Sequence, residues 1–276
     1  MTLIASLRCT DGLILAADTE EVIEEAPLLK TRREKLRILD IPIISNCRIV
    51  AGGAGEFDYI RMMGDFIEDK IAECGVLVPR QRDIEKCIRS AIADVWRDHA
   101  RHEGRAIPVQ IMIAIRAEDH PSPQLMIVNG ASVRRGTDIE AIGRGDATFK
   151  ALADRFIQHG MLSTVSANLS AARVFMVYAF LQAKLSIPGI GGNTRIVALT
   201  DSGDLKYMKS WSVSAIQRFF NAFDQNIRTG VQSLSHELLL DDPVEQLLVA
   251  VGQETIKEYK ELRKELRRIE EDESLV

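Results

Sequence analysis

The first nineteen residues constrain the fold of this chain more than any other stretch. Residues 3–9 alternate in a way that is typical of a strand, Thr10-Asp11-Gly12 has the composition of a tight turn, and residues 13–17 form a continuous apolar run. A short apolar run bounded by turn signals is typical of a strand buried on both faces. The sequence therefore predicts an amino-terminal β-hairpin, with Asp18 at the end of its second strand.

Thr2 precedes this hairpin, and it becomes the first residue if Met1 is removed. An N-terminal threonine has its hydroxyl and a free α-amine on one residue, and that amine has an ordinary pKa of about 7.7–8.0. An adjacent amine that accepts the proton is a recognised way to activate the hydroxyl as a nucleophile. Asp18 either points back at Thr2 or only turns the chain, and the spacing leaves both interpretations open.

Length and composition exclude several classes of protein. The chain has 276 residues, 46% of them hydrophobic and 27% charged, which is typical of a globular α/β protein with a sizeable core. Its net charge of −5 argues against a dedicated nucleic-acid binder. It contains neither the run of about 18 apolar residues that a membrane span needs nor a secretory signal layout. We therefore expect a cytoplasmic protein with no nucleic-acid or membrane partner.

Cysteine and histidine spacing predicts neither a disulfide framework nor a metal site. The four cysteines form no CxxC pair and lie within apolar patterns, which favours buried reduced thiols: Cys9, Cys47, Cys74 and Cys87. His99 and His102 are three residues apart, a spacing that could hold a metal, but only Glu103 accompanies them. The interpretation we favour is a solvated helix end. We expect no metal and no cofactor.

Hydrophobic periodicity gives the order of the remaining elements. Apolar residues at helical spacing predict helices at about 56–74, 83–101, 147–158, 166–185 and 211–229. Asp146 is the expected N-cap of the third of these helices. Further strands are predicted at about 35–41, 47–51, 109–115, 124–128, 139–142, 194–200 and 205–209. Residues 20–33 are expected to form a loop or a loose hairpin tip.

The segment Gly52-Gly53-Ala54-Gly55 is predicted to be a tight turn from strand to helix. It has neither the Lys-Ser/Thr ending of a P-loop nor the spacing of a dinucleotide fingerprint, so we predict no phosphate site there. The whole order is two hairpins, two helices, two or three strands, two helices and a closing hairpin. Two sheets, each covered by a layer of helices, would bury every apolar face of these elements.

Four fragments, in this order, resemble the start of a mature proteasome β-subunit. They are Thr2, the AAD(T/S)-like Leu15–Thr19, the lysine-bearing Glu34–Ile38 and the AGG/AGS-A-like Val50–Ala54. The resemblance covers about residues 2–75 and rests on element order beyond that. It implies an α+β fold of the N-terminal nucleophile hydrolase type, a four-layer αββα sandwich. Residues 1–210 would form that domain, and residues 211–276 a C-terminal helical extension.

The resemblance also implies the roles of four residues. Thr2 Oγ would attack a carbonyl, Lys35 or the terminal amine would take its proton, Asp18 would hold Lys35, and the Gly52 N–H would donate to the oxyanion. Residues 30–37 contain five basic side chains, and placing Lys35 requires one residue more than the usual spacing of the family. A solvated strand lysine is therefore the alternative for Lys35.

Three segments depart from the family pattern. Glu20 replaces the usual Arg, Gly143-Arg144-Gly145-Asp146 replaces a Gly-Ser-Gly-Ser turn, and residues 185–192 replace the RD-x-x-SGG segment without an equivalent Asp. One hypothesis is a threonine hydrolase that cleaves peptide or unfolded-protein substrates within a homo-oligomeric ring or similar assembly. Another is a catalytically inactive structural or binding subunit, and a non-peptidase amidase is the third. An ATPase partner is left open.

The carboxy-terminal region is predicted to be helical. A helix from Pro243 to Glu270 would have a narrow apolar stripe among Lys, Arg and Glu residues. Such a helix either packs on the body or on a neighbouring subunit, or it is a solvated terminal helix.

Overall fold

The computed structural model describes residues 2–22, 30–32, 34–39, 47–73, 80–102, 109–158 and 167–237, together with Lys257, Lys260 and Lys264. The chain divides into two compact units, Met1–Met208 and Lys209–Val276. The described residues form two five-stranded antiparallel sheets, a two-stranded ribbon and five helices. The chain is thus an α+β protein whose paired sheets are consistent with a sandwich.

The strands, in chain order, are β1 Leu3–Cys9, β2 Gly12–Asp18, β3 Glu20–Val22, β4 Lys30–Arg32, β5 Leu36–Leu39, β6 Cys47–Ala54, β7 Gln110–Ala117, β8 Gln124–Asn129, β9 Ser132–Arg135, β10 Ile139–Gly143, β11 Thr194–Thr200 and β12 Leu205–Tyr207. The helices are α1 Phe57–Glu73, α2 Gln81–His102, α3 Asp146–Gln158, α4 Leu169–Ser186 and α5 Ser210–Glu237. The first unit contains all twelve strands and α1 to α4, and α5 belongs to the second unit.

The predicted amino-terminal hairpin is confirmed, and it lies inside the first sheet. β1 and β2 pair antiparallel with Cys9 opposite Gly12, so that Thr10 and Asp11 make the turn. The strand order is β10-β1-β2-β11-β12, and every residue of β2 is buried. A strand with neighbours on both sides and cover on both faces has no polar face, which explains its continuous apolar run.

The register of the first sheet brings the ends of four strands together at one end of the sheet. Leu3 of β1 lies opposite Gly143 of β10, and Asp18 of β2 lies opposite Thr194 of β11. Because Ile4 pairs with Ala17, Leu3 and Asp18 are neighbours across the hairpin. The start of β1 and the end of β2 therefore lie side by side at the same end of the sheet.

The second sheet has the order β5-β6-β7-β8-β9. The prediction that residues 52–55 form a turn is wrong, because Gly52 and Gly53 lie inside β6, opposite Met112 and Ile111 of β7. Close packing explains these two glycines. A Cβ on Gly53 would lie 2.3 Å from Cγ2 of Ile60 in α1, and one on Gly52 would lie 2.8 Å from Cδ2 of Leu36. The turn into α1 comes after Ala54.

Two apolar cores separate the layers of the first unit. One contains residues from both sheets, among them Ile4 and Leu15 of the first and Val50 and Met112 of the second. The other packs residues of α1 and α2 against the opposite face of the second sheet. α3 contacts β1 and β10, and α4 contacts β1, β2 and β11. Each sheet thus has helices against it as well as contact with the other sheet.

The predicted element order is confirmed in the described residues, with additions. Residues 20–33 include the paired strands β3 and β4, and the short strand β9 was not predicted. α3 starts at Asp146, whose Oδ1 accepts a hydrogen bond from the Ala147 N–H at 2.6 Å. α5 is longer than the predicted 211–229. The helix predicted over 243–270 lies outside the described residues, except that Lys257, Lys260 and Lys264 are helical.

Two predictions about α2 are wrong. His99 is buried rather than solvated, because the packing of α1 on α2 brings the Tyr59 hydroxyl to 2.8 Å from its Nδ1. Cys87 is disulfide-bonded, since pairing depends on proximity in space and not on a CxxC spacing. Cys9 and Cys47 are free and buried, as predicted, and desolvation raises the pKa of each thiol to about 12.

Candidate active site

Asp18 points back toward the start of the chain. Its side chain is fully buried, and its Oδ1 accepts a hydrogen bond from the Leu3 N–H at 2.8 Å. That N–H belongs to the peptide bond that joins Thr2 to Leu3. A buried carboxylate needs such donors because burial otherwise disfavours its charged form. The interpretation of Asp18 as a residue that merely turns the chain is therefore not supported.

Lys35 is the second partner of the Asp18 carboxylate. It immediately precedes β5, and its Nζ lies 2.9 Å from Asp18 Oδ2. The same ammonium donates to the Glu20 carbonyl oxygen at 2.5 Å. Only 8% of the Lys35 side chain is exposed, so it is not the solvated strand lysine of the alternative interpretation. A lysine amine can in general give up its proton in proteins, whereas a guanidinium does not.

Thr2 is half-buried just ahead of β1, and its carbonyl oxygen lies close to Gly143. Gly143 has a φ of +87°, and a Cβ there would lie 2.2 Å from the Thr2 carbonyl oxygen. The Gly143 N–H donates to Oε1 of Gln110 at 3.0 Å, which holds the strand end in place. The segment that replaces the family's Gly-Ser-Gly-Ser turn is thus packed directly against Thr2.

Gly52 lies beside Lys35. A Cβ on Gly52 would lie 3.2 Å from the Lys35 carbonyl oxygen, and Gly52 pairs with Leu36 across the β5–β6 ladder. The structure therefore brings Asp18, Lys35 and Gly52 to the end of the first sheet at which Thr2 precedes β1. The role of Gly52 as an oxyanion donor stays a prediction.

The sequence did not indicate how closely residues 191–193 pack on this site. The Thr19 N–H donates to the Asn193 carbonyl at 3.0 Å, and the Asn193 N–H donates to Thr19 Oγ1 at 2.9 Å. The Glu20 N–H donates to the Gly191 carbonyl at 3.2 Å. A Cβ on Gly191 would lie 2.2 Å from Oε2 of Glu20. The Glu20 side chain, which stands where the family pattern has Arg, therefore fits because residue 191 is a glycine. The consecutive glycines were the only signal of such a close approach.

Lys184 is a second lysine at this site that the sequence did not single out. It lies in the last turn of α4, and its Nζ donates to the Gly192 carbonyl at 2.8 Å and to Thr194 Oγ1 at 2.7 Å. Burial lowers the pKa of Lys184 to about 8, although the charges of Asp18 and Glu20 act in the opposite direction. A lysine in a largely apolar helix is the one sequence feature that could have drawn attention to it.

A cavity of about 440 Å³ opens next to Lys35 and Gly52. Most of its lining is apolar, and it lies around the edge strand β5 and the first turns of α1. Its apolar lining residues include Leu36, Ile38, Val50, Phe57, Ile60, Ile67 and Val197. Ligand sites are commonly concave and apolar with a few polar groups at the mouth. The cavity is therefore suited to an apolar group attached to whatever reacts near Lys35.

Neither a metal-ligand cluster nor a membrane-spanning helix occurs among the described residues. In the described part of the chain, no three or more His, Cys, Asp or Glu side chains are grouped so as to hold a metal ion. None of the described helices combines the length and the apolar character needed to cross a bilayer.

Comparison with solved structures identifies the fold. The chain is similar to Anbu from Hyphomicrobium sp. strain MC1, a Gly-1 mutant, with a TM-score of 0.64 over 85% of this chain and 100% of that one, at 16% identity. It is similar to Anbu, an ancestral β-subunit, from Yersinia bercovieri, with a TM-score of 0.65 over 82% and 97% of the two chains, at 13% identity. The chain has the Anbu fold.

A third similar structure is the helical assembly of the Anbu complex from Pseudomonas aeruginosa, with a TM-score of 0.62 over 87% and 98% of the two chains, at 16% identity. No protein-family model and no curated protein sequence matches the chain. The likeness to Anbu is therefore one of fold. A narrower relation to bacterial proteasome β-subunits stays a prediction.

Proposed function

We propose that this chain is an N-terminal threonine hydrolase that cleaves peptide bonds, with Thr2 as nucleophile after removal of Met1. The observation that supports this most strongly is the Asp18 carboxylate. It accepts from the Leu3 N–H at 2.8 Å and lies 2.9 Å from Lys35 Nζ. One buried acid thus contacts both the residue that follows Thr2 and a nearly buried lysine.

The proposed reaction starts with attack of Thr2 Oγ on the substrate carbonyl carbon. Either the Thr2 α-amine or Lys35 Nζ takes the hydroxyl proton, and a proton acceptor in position contributes about 10²–10⁴-fold in rate. The Gly52 N–H donates to the oxyanion that forms, and such a donor is worth about 3–4 kcal/mol. The tetrahedral intermediate collapses as the leaving amine takes the proton. Water then hydrolyses the threonine ester and restores Thr2.

The apolar cavity next to Lys35 and Gly52 suggests the substrate. A side chain that enters it would place the adjoining carbonyl near the start of β1, beside Asp18. Burying an aliphatic side chain of leucine size contributes roughly 1.5–3 kcal/mol, enough to prefer it to a small polar one. We therefore propose peptides with a large apolar residue before the cleaved bond.

The architecture and assembly are proposed with the activity. The two cores and the helices against each sheet support a four-layer αββα sandwich in residues 1–210, with residues 211–276 as a helical extension. One of the similar structures is a helical assembly of Anbu, which supports a homo-oligomer here. A ring or similar assembly in the cytoplasm would limit access to the sites.

A catalytically inactive structural subunit is the second candidate. Residues 185–192 contain no carboxylate, and Ile190 in this segment is buried. The hydroxyl of Ser186 donates to the Gln182 carbonyl at 2.6 Å. In the family pattern, an Asp and a Ser of the corresponding segment help to orient the terminal threonine. The absence of that Asp here favours a chain that retains the sandwich without the reaction.

Replacement of the nucleophile distinguishes the two candidates. Thr2→Ala should abolish hydrolysis of a fluorogenic peptide amide with leucine before the scissile bond, and the assembly should keep its size by light scattering. Thr10→Ala, at the exposed turn of the same hairpin, is the matched control and should keep the wild-type rate. Full activity of Thr2→Ala would rule out the nucleophile. No hydrolysis by the wild type, despite loss of Met1 by intact mass, would favour the inactive subunit.

A further inference from the structure

We propose that Lys184 is a positioning residue for the reaction: its ammonium fixes residues 191–194 against the Asp18 carboxylate and so maintains the Asp18–Lys35 pair in its reactive geometry. The inference rests on the proposed function, and it adds a residue that the four predicted site residues did not include.

The first step of the argument is the hydrogen bonding of Lys184. Its Nζ donates to the Gly192 carbonyl at 2.8 Å and to Thr194 Oγ1 at 2.7 Å. A bond donated by an ammonium is roughly twice as strong as one between neutral groups. Lys184 therefore joins the end of α4 to the segment that leads into β11.

The second step is that this segment covers Asp18. Thr194 lies directly opposite Asp18 in the β2–β11 ladder, and the Gly191 N–H faces Asp18 Oδ2 at 3.5 Å. Residues 191–193 also bond to Thr19 and Glu20 on either side. A displacement of this segment would therefore move the surroundings of the carboxylate that contacts Leu3 and Lys35.

The third step concerns charge. Within the described residues, the charges that act on Lys184 are those of Asp18 on β2 and Glu20 on β3, and Asp18 also pairs with Lys35. From β11 the facing residue is the uncharged Thr194, and the next residue, Arg195, is paired with Glu34. Because burial brings the pKa of Lys184 to about 8, its positive charge is lost just above neutral pH.

These groups give a definite pH dependence. Whichever amine takes the hydroxyl proton, that of Thr2 or that of Lys35, must be neutral to do so. For the Thr2 α-amine, this makes the rate rise with pH around its ordinary pKa of about 7.7–8.0. Loss of the Lys184 proton makes the rate fall above about pH 8. We therefore expect a narrow bell-shaped profile of kcat whose alkaline side belongs to Lys184.

The experiment compares Lys184→Met, Lys184→Arg and the control Lys150→Met, which removes a half-exposed lysine from α3. Lys184→Met should lower kcat about tenfold with little change in KM and should lack the alkaline decline, as expected for the loss of a charged hydrogen bond. Lys184→Arg should recover most of the rate and move the decline to higher pH, because arginine keeps its proton. Lys150→Met should match the wild type. A merely structural role of Lys184 would not move the pH profile.

Amide hydrogen exchange provides a second measurement that does not depend on activity. At pH 7, Lys184→Met should exchange about tenfold faster than the wild type in residues 187–194, while Lys150→Met should not. Unchanged exchange in this segment, or a wild-type pH profile of kcat in Lys184→Met, would overturn the proposal. If the wild type hydrolyses nothing, the proposed function fails, and faster exchange still shows that Lys184 fixes the segment beside Asp18.

Discussion

Asp18 and Glu140 are both buried carboxylates, and they differ in the cation that each one binds. Asp18 pairs with Lys35, whose side chain is 8% exposed, whereas Glu140 pairs with Arg134, whose side chain is 53% exposed. Each carboxylate also accepts a backbone N–H, from Leu3 or from Thr137. In both pairs, a cation and a backbone N–H bind the buried carboxylate. The pairs differ because a lysine ammonium can release a proton in proteins, whereas an arginine guanidinium does not.

The Glu140 pair has a structural role. Glu140 lies on β10 of the first sheet and Arg134 on β9 of the second, so their two hydrogen bonds of 2.6 and 3.0 Å join the edges of the two sheets. A guanidinium binds a carboxylate in this fork-like way and does not deprotonate in proteins. The Asp18 pair instead uses a compact ammonium next to the start of the chain. Under the proposed function, the first pair therefore takes part in the reaction, whereas the second pair stabilises the fold.

The largest expected effect is on activity, in Lys35→Arg. The substitution keeps a positive charge beside Asp18 but removes the group that can accept a proton, so we expect about a 10³-fold loss of kcat/KM. The midpoint of urea unfolding should change little, because the buried charge still has a partner. The matched change in the other pair is Arg134→Lys, which should leave kcat/KM within about twofold of the wild type. Wild-type activity in Lys35→Arg would remove the distinction between the pairs.

A smaller effect is expected in Gly143→Ala, which tests whether the backbone of Thr2 is held for the reaction. The new Cβ would lie 2.2 Å from the Thr2 carbonyl oxygen, at a residue whose φ is +87°. Strain of this kind costs about 1–3 kcal/mol, so the variant should unfold at lower urea concentration and lose at least tenfold in kcat. Gly130→Ala is the control, because its φ is +56° and its nearest neighbour is a Trp96 side-chain carbon at 3.6 Å. The account is contradicted if both variants keep the wild-type rate.

The smallest expected effect is on the pH dependence of the free energy of unfolding, to which the Glu140–Arg134 pair contributes. Burial raises the pKa of Glu140, but the hydrogen bonds from Arg134 and Thr137 outweigh it and lower the pKa from 4.5 to about 2. Because the folded pKa lies below the unfolded one, the stabilisation is complete above pH 4.5 and is lost as the pH falls toward 2. Screening at the half-exposed Arg134 reduces the gain, which we expect to be about 2 kcal/mol.

Urea unfolding of Glu140→Gln checks this value. The variant should be about 2 kcal/mol less stable than the wild type at pH 7, and the difference should shrink steadily below pH 4.5. A difference that stays constant down to pH 2 would show that the stabilisation comes from packing and not from the charge of Glu140.

Much of the fold could be predicted from the sequence because its signals are local. The run of residues 13–17 and the Thr10-Asp11 turn determine the first hairpin, and helical periodicity located α1 to α4. Gly52 and Gly53 misled the prediction, because a glycine that admits a side chain from another layer has the same local signature as a turn glycine. The burial of His99 was also missed, since it depends on Tyr59 in a different helix.

The site was predictable in part for the same reason. Asp18 and Thr2 belong to one hairpin, so strand pairing alone brings them together. Lys35 required the resemblance to a family to select it from five basic residues in 30–37. Lys184 and the packing of residues 191–193 depend on the β2–β11 pairing, which joins parts of the chain far apart in sequence. No local pattern encodes that contact.

Covalent labelling tests the central claim most directly. The protein is incubated with a threonine-directed covalent inhibitor, digested, and its amino-terminal peptide is measured by mass spectrometry. The account predicts a peptide that begins at Thr2 and bears one inhibitor on that residue, with labelling lost in Lys35→Arg. An amino-terminal peptide that retains Met1, or one that begins at Thr2 and stays unlabelled while another residue reacts, would contradict it.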